Sequence, residues 1–191
     1  MIERKTYVIE LQEDMLGTVP KDKEVYKTYI ESKKPVDKKD DEAVTVPNAE
    51  ERGWTGFHSD GNGLFVYDYL IKGFIKASGK VLKGIVDIKN LRSKIDDFVF
   101  VFPRRIYLGK TIPDGVFERP LRGNTPMGER VTLVRSDFIK AGTLITFEVG
   151  LLKHNEISWE KVNRLMAHGE LMGLGQFRNG SFGRFKVIDV K

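Results

Sequence analysis

The residues best suited to chemistry lie near the C-terminus, in the run Gly173-Leu-Gly-Gln-Phe-Arg-Asn-Gly-Ser-Phe-Gly-Arg-Phe185. Glycines admit positive φ and let another backbone approach closely. Successive exposed N–H groups in such a loop can form an anion-binding nest. Arg178 and Arg184 would add charge-assisted bonds to phosphate. Phe177, Phe182 and Phe185 offer faces on which an unpaired base can stack. Gly173, Gly175, Arg178, Gly180, Gly183 and Arg184 are therefore candidate nucleic-acid contacts. A plainer role fits each phenylalanine taken alone: a helix-to-strand connection whose aromatics join the core.

Other chemistries fit less well. Gly173-Leu-Gly175 begins a G-x-G-x-x-G, but Arg178 holds the third glycine position, and the run leads from a helix into a strand, the reverse of the dinucleotide-binding order. Gly109-Lys110-Thr111 resembles the end of a phosphate-binding loop, but Arg104 stands at the upstream glycine position. The three histidines, His58, His154 and His168, show no metal-ligand spacing, and there is no cysteine, so neither a metal nor another cofactor is expected. His58-Ser59-Asp60 only mimics a triad, since triads assemble in space. His58 is the one candidate general acid or base, for a metal-independent ribonuclease, though it does not fall in an evident helix. Asp87, Asp96 and Asp97 form a weak carboxylate candidate.

Charge points the same way as the glycine run. Residues 1–99 carry 17 Lys and Arg against 18 Asp and Glu, whereas residues 100–191 carry 15 against 9 and hold nine of the twelve arginines. An Arg-rich half favours a polyanionic partner. Arg104, Arg105, Arg119, Arg122 and Arg130 fall around strand ends and a loop at 122–128. Lys72, Lys76, Lys80 and Lys83 fall on one side of a helix. These cations would track phosphates if they shared a face; otherwise they are ordinary solvated charges.

The elements that must position these groups follow from periodicity. Arg4–Leu11 alternates as a half-buried strand with Tyr7, Ile9 and Leu11 on one side. Asp22–Ser32 reads as a short helix, and the charged residues 33–51 as a mobile insertion. Gly61-Asn-Gly63 is a turn. A helix is predicted over Asp68–Leu82, capped by Asp68, with Leu70, Ile71, Phe74, Ile75, Ser78, Val81 and Leu82 as its apolar stripe. Phe98–Phe102 reads as a buried strand, interrupted by Pro103, with Arg104–Leu108 beyond it. Val116–Leu121, Arg130–Ser136 and Thr143–Leu152 read as strands. A helix capped by Ser158 is predicted over Trp159–Leu171, and a last strand over Phe182–Val190.

The order strand, helix, strands, helix, strand predicts a single α+β domain over residues 1–191. Its expected form is an elaborated ferredoxin-like, or RNA-recognition-motif-like, domain with an antiparallel sheet and two main helices. No run of apolar residues is long enough for a membrane span, and no signal peptide is evident, so a cytoplasmic setting is expected.

Gly-x-Gly-x-x-Arg-x-Gly-x-x-Gly-Arg-Phe, between a helix and the last strand, resembles the glycine-rich loop of the RAMP superfamily of CRISPR ribonucleoproteins. Leu70-Ile-Lys72-Gly-Phe-Ile-Lys76 resembles a helix start found in the backbone-type members. The resemblance covers roughly residues 54–190 and implies single-stranded RNA or DNA binding along the sugar–phosphate backbone. It also implies possible head-to-tail self-association, or assembly with CRISPR-type subunits. The matching positions are Lys72, Lys76, Gly173, Gly175, Arg178, Gly180, Gly183 and Arg184. The chain is short for a full backbone subunit, and the 33–51 insertion has no counterpart, so a phage or mobile-element relative acting as a mimic or antagonist would fit equally well. The leading expectation is a non-catalytic nucleic-acid-binding protein, RNA favoured; the alternatives are a protein-interaction module and a metal-independent endoribonuclease.

Overall fold

A computed structural model describes residues 2–21, 53–86, 88–125 and 128–191. The helix expected at Asp22–Ser32, the insertion at 33–51 and Asp87 lie outside them.

The frame is mixed α+β with antiparallel sheets. Its main sheet holds β1 (Ile2–Leu11), β7 (Val99–Phe102), β11 (Leu144–Leu152) and β12 (Phe185–Val190), in the order β12-β1-β11-β7, with every pair antiparallel. Alternation places one face of each strand inward. Tyr7, Ile9 and Leu11 are buried opposite Phe147 and Ile145, with Tyr7 paired to Phe147 and Ile9 to Ile145. Burial pushes the Tyr7 phenol up to about 12, and its hydroxyl donates to Asn163 Oδ1 at 2.5 Å.

Two helices connect these strands and cover the inward face. Helix α1 (Asp68–Val81) buries Ile71, Phe74, Ile75 and Ser78. Its N-cap is Tyr67 rather than Asp68; Asp68 occupies the first turn, where its carboxylate accepts from Tyr69 N. Val81, expected in the apolar stripe, is 60% exposed because the helix ends there. The short α2 (Lys83–Val86) follows. Helix α4 (Trp159–Ala167) buries Val162, Leu165 and Met166, and the Ser158 side chain accepts from Lys161 N as expected. A 3-10 turn, His168–Glu170, replaces the predicted last helical turn. Phe74 of α1 meets Phe185 of β12 edge-on at 4.9 Å, which ties helix to sheet.

Other expectations change. Helix α3 (Leu91–Phe98) is not expected from the sequence, and Phe98, expected to start the next strand, ends this helix instead. Only Leu91 and Ile95 are buried on it, too short a repeat to stand out. The loop expected at 122–128 is the far end of a hairpin formed by β9 (Gly115–Thr125) and β10 (Gly128–Ile139). Its ladder of backbone bonds needs no buried face, so Gly123-Asn-Thr125 could be strand despite turn-like composition. Val131 and Leu133 share a face as expected, but are 64% and 52% exposed. The last strand starts at Phe185, not Phe182.

The hairpin base joins a second sheet. There β10 pairs with β2 (Met15–Leu16) and, in parallel, with β4 (Trp54–Gly56), which also pairs with β3 (Val19–Pro20). Among the described residues, 128–134 pair only with β9, so this part of the hairpin is a two-stranded arm. A small third sheet combines β5 (His58–Asp60), β6 (Gly63–Tyr67) and β8 (Arg105–Tyr107).

Candidate nucleic-acid interface

The glycine-rich loop is held by its own backbone and by the β1–β2 connection. Leu174 N donates to Gly183 O at 2.9 Å, and Gly183 N donates to Asp14 O at 2.8 Å. A Cβ on Gly173 would lie 2.0 Å from Phe182 O, and one on Gly183 would lie 2.0 Å from Leu174 O. Gly183 and Gly175 also have positive φ, 71° and 79°. A Cβ on Gly180 would run into the Phe177 ring, 2.5 Å from its nearest carbon. The glycines thus let two strands of loop touch without side chains between them.

The aromatics of the loop divide between roles. Phe185 is fully buried. Phe182 packs on Phe117 of β9 at 4.8 Å and on Phe177 at 5.7 Å. Phe177 is 39% exposed, and the Arg119 guanidinium lies over its ring at 3.8 Å. Loop and hairpin base are therefore stapled by a cation–π contact. Arg184 is half-buried, its carbonyl accepting from Gln12 N and Glu13 N. Gln176 Oε1 accepts from Thr55 Oγ1 and Ser136 Oγ at 3.2 Å each, fixing the loop to β4 and β10. Beside that contact, buried Asp137 accepts from Trp54 Nε1 at 2.8 Å and pairs with Lys21 at 2.7 Å. Sequence reasoning missed this network because its members lie far apart along the chain.

Arg178 is the exposed cation of the loop. It borders a cavity of about 190 Å³, whose other wall is the start of α1 at Tyr69, Leu70 and Gly73, with Gly173 and Gly175 on the loop side. Loop and helix, the two segments singled out in the sequence, thus form one groove.

The lysines of α1 differ from one another. Lys72 Nζ donates to the carbonyls of Ile95, Asp96 and Val99, where it neutralises the C-terminal end of α3. Burial pushes its pKa down. Lys76 remains at the surface and pairs with Asp96 at 2.5 Å. Among the described residues, no three His, Asp or Glu side chains converge to hold a metal ion.

The remaining candidates are dispersed. Arg104 pairs with Asp68 at 2.6 Å and lies over Tyr67 at 4.8 Å and Tyr69 at 5.7 Å. Tyr69 is thus shared between Arg104 and the groove, an aromatic link the sequence reading did not single out. Arg105 points instead to Asp60, at 2.8 Å, and Phe65. Hydrogen bonds from Asn62 N, Tyr107 and Arg105 hold the Asp60 carboxyl below its ordinary range. Arg122 and Arg130 lie on the hairpin arm, where Arg122 is exposed opposite Val131 and Arg130 is paired with Gly123. His58 is buried in β5, stacked on Phe65 at 5.4 Å and edge-on to Tyr67 at 4.6 Å. Desolvation lowers its pKa.

With that geometry in hand, comparison with known proteins adds one result. No family model matches the sequence, and no curated protein is detectably similar to it. Among solved structures, a chain in the cryo-EM structure of the Type III-B Cmr-beta bound to cognate target RNA aligns with a TM-score of 0.56 at 11% identity. The two share a fold. The alignment covers all of this chain but 60% of the other, so the present chain spans well under the full length of its structural counterpart. No helix among the described residues is long and apolar enough to cross a membrane.

Proposed function

We propose that this protein is a RAMP-type, non-catalytic nucleic-acid-binding protein that holds the sugar–phosphate backbone of a single strand, RNA in preference to DNA. The observation that carries the reading is the groove in which Arg178 faces the first turns of α1. An exposed guanidinium beside an open, glycine-lined wall can take a phosphate in bidentate fashion. Tyr69, 38% exposed on the same wall, offers a ring to a neighbouring base.

Two further features support the assignment. The main-sheet order β12-β1-β11-β7, with helices between β1 and β7 and between β11 and β12, supports reading the frame as ferredoxin-like with added sheets. The fold is shared with a chain from the Type III-B Cmr-beta bound to cognate target RNA. A role within such a ribonucleoprotein, with self-association or with other subunits, is part of the proposal. Lys76, Arg119, Arg104 and the hairpin-arm arginines are its supporting contacts, whereas Lys72 and Arg105 act mainly through the elements they brace. No catalytic step is assigned, because His58 is enclosed by aromatic rings.

A gel-shift titration with single-stranded RNA and DNA tests the reading. Binding should tighten as salt falls, since phosphate contacts release counterions. Failure of both strands to bind below roughly 100 μM at low salt, the weak limit of ordinary non-specific binding, would overturn it.

A further inference from the structure

We propose that a second phosphate-binding subsite lies on the outer face of α1, at Lys80 and Arg92, joined to the Arg178 groove across Gly73. It rests on the nucleic-acid-binding reading above and lengthens its footprint. A depression of about 380 Å³ is lined by Gly73, Lys76, Ala77, Lys80 and Arg92. Gly73 also lines the Arg178 groove, so the two depressions meet at this residue. On the far side, Lys76 and Arg92 border a further depression with Asn90, Ser93 and Asp96.

The charges here are unequally committed. Lys76 is half-neutralised by Asp96 at 2.5 Å. Lys80 and Arg92 are exposed, and neither side chain forms an ion pair or hydrogen bond with the described residues. Among the described residues the region therefore holds three cations against one carboxylate, with two cation side chains unpaired, and no aromatic ring in its walls. Such a surface selects phosphodiester oxygens and ignores base identity.

The two glycines of α1 separate packing from passage. A Cβ on Gly79 would lie 2.6 Å from Ile95 Cδ1, so close packing of α1 on α3 demands a glycine there. A Cβ on Gly73 would meet nothing within 4 Å, and its φ is not positive. Glycine is a poor helix-interior residue, and neither packing nor backbone conformation accounts for this one. What a larger side chain at 73 would occupy is the saddle between the two depressions. Gly73, Lys76 and Lys80 lie on one face, and from Gly73 to Lys80 is ~10 Å along the axis at ~1.5 Å per residue. That spans about three stacked nucleotides at ~3.4 Å each. A strand whose phosphate sits at Arg178 can thus continue over Gly73 to Lys80 and Arg92.

The test is fluorescence anisotropy over a range of salt, with oligouridine RNAs of about 15 and about 4 nucleotides, spanning the usual single-strand site sizes. The Lys80→Ala/Arg92→Ala variant should bind the long RNA roughly tenfold more weakly, with a log–log salt slope reduced by about 1.4, two contacts at ~0.7 each. The short RNA should change less than twofold. Gly73→Leu should weaken the long RNA comparably while melting no lower than the parent protein. If both variants bind the long RNA like the parent, while Arg178→Ala impairs it, the subsite is wrong and the groove reading survives. If the parent protein binds no RNA at any salt, the reading itself fails and the subsite falls with it.

Discussion

The glycine-rich loop and helix α1 look alike in sequence, each mixing glycine with cations, yet the structure uses their residues in opposite ways. In the loop, glycine is dictated by contact: Gly173 and Gly183 touch backbone that any Cβ would strike. Along α1 the packing demand falls on Gly79 alone, and Gly73 faces open space. The cations divide too. Lys72 is absorbed into the end of α3, whereas Arg178 stands exposed at the groove. A residue type becomes a functional signal only after its structural duties are subtracted.

That contrast can be broken at single positions. The largest effect is expected at Gly183→Ala, which combines a left-handed φ of 71° with a Cβ 2.0 Å from Leu174 O. Urea unfolding should show a loss of roughly 2–4 kcal/mol, the sum of backbone strain and overpacking. A loss below ~0.5 kcal/mol, the range of ordinary surface changes, would mean that the loop is not packed as described. Next comes Lys72→Ala, which removes a charged donor shared by three carbonyls and should cost ~1–3 kcal/mol. Arg178→Ala, by contrast, should leave stability within ~0.5 kcal/mol. Equal costs for these two variants would erase the distinction drawn between them.

His58, behind the Tyr67 ring, supplies a pH-dependent check. Its folded pKa is lowered by burial, so the unfolded chain binds the proton more readily. Its contribution to stability is therefore fully present above the ordinary histidine range and is lost as pH falls through the folded pKa. The difference in unfolding free energy between the parent protein and His58→Phe should shift against the parent on acidification from pH ~7 to ~5, the window of histidine titration. No relative shift would place His58 in water. The smallest effect concerns Gly73→Ala, which should raise stability by ~0.5–1 kcal/mol if no packing constraint acts there. A clear loss would show that Gly73 has a structural duty after all.

Much of this was legible from the chain alone, for identifiable reasons. Strand β1 and strand β11 declare themselves because one face is buried and the other wet, and α1 because its apolar stripe is long. The meeting of the glycine loop with α1 was anticipated only as a shared motif set; the groove between them depends on tertiary packing. Helix α3 was hidden because two buried residues make no period. The strands at 116–121 and 130–136 were legible, but their continuation to Thr125 and back to Gly128 was not, because backbone pairing, not burial, holds it. The Trp54–Asp137–Lys21 network and the fate of Lys72 were invisible, since a lysine's sequence position does not reveal which carbonyls it will meet. Arg92 gave no signal at all until α3 brought it beside Lys76 and Lys80.

The central claim is that a single strand lies against Arg178, and one measurement tests it most directly. Anisotropy of an RNA of about 15 nucleotides, the upper range of single-strand sites, should be compared for the parent protein and Arg178→Ala at matched salt. The account predicts salt-sensitive binding that Arg178→Ala weakens roughly tenfold, with a salt slope shallower by about 0.7 and an unchanged melting temperature. Equal affinity and equal slope for the two proteins would contradict it.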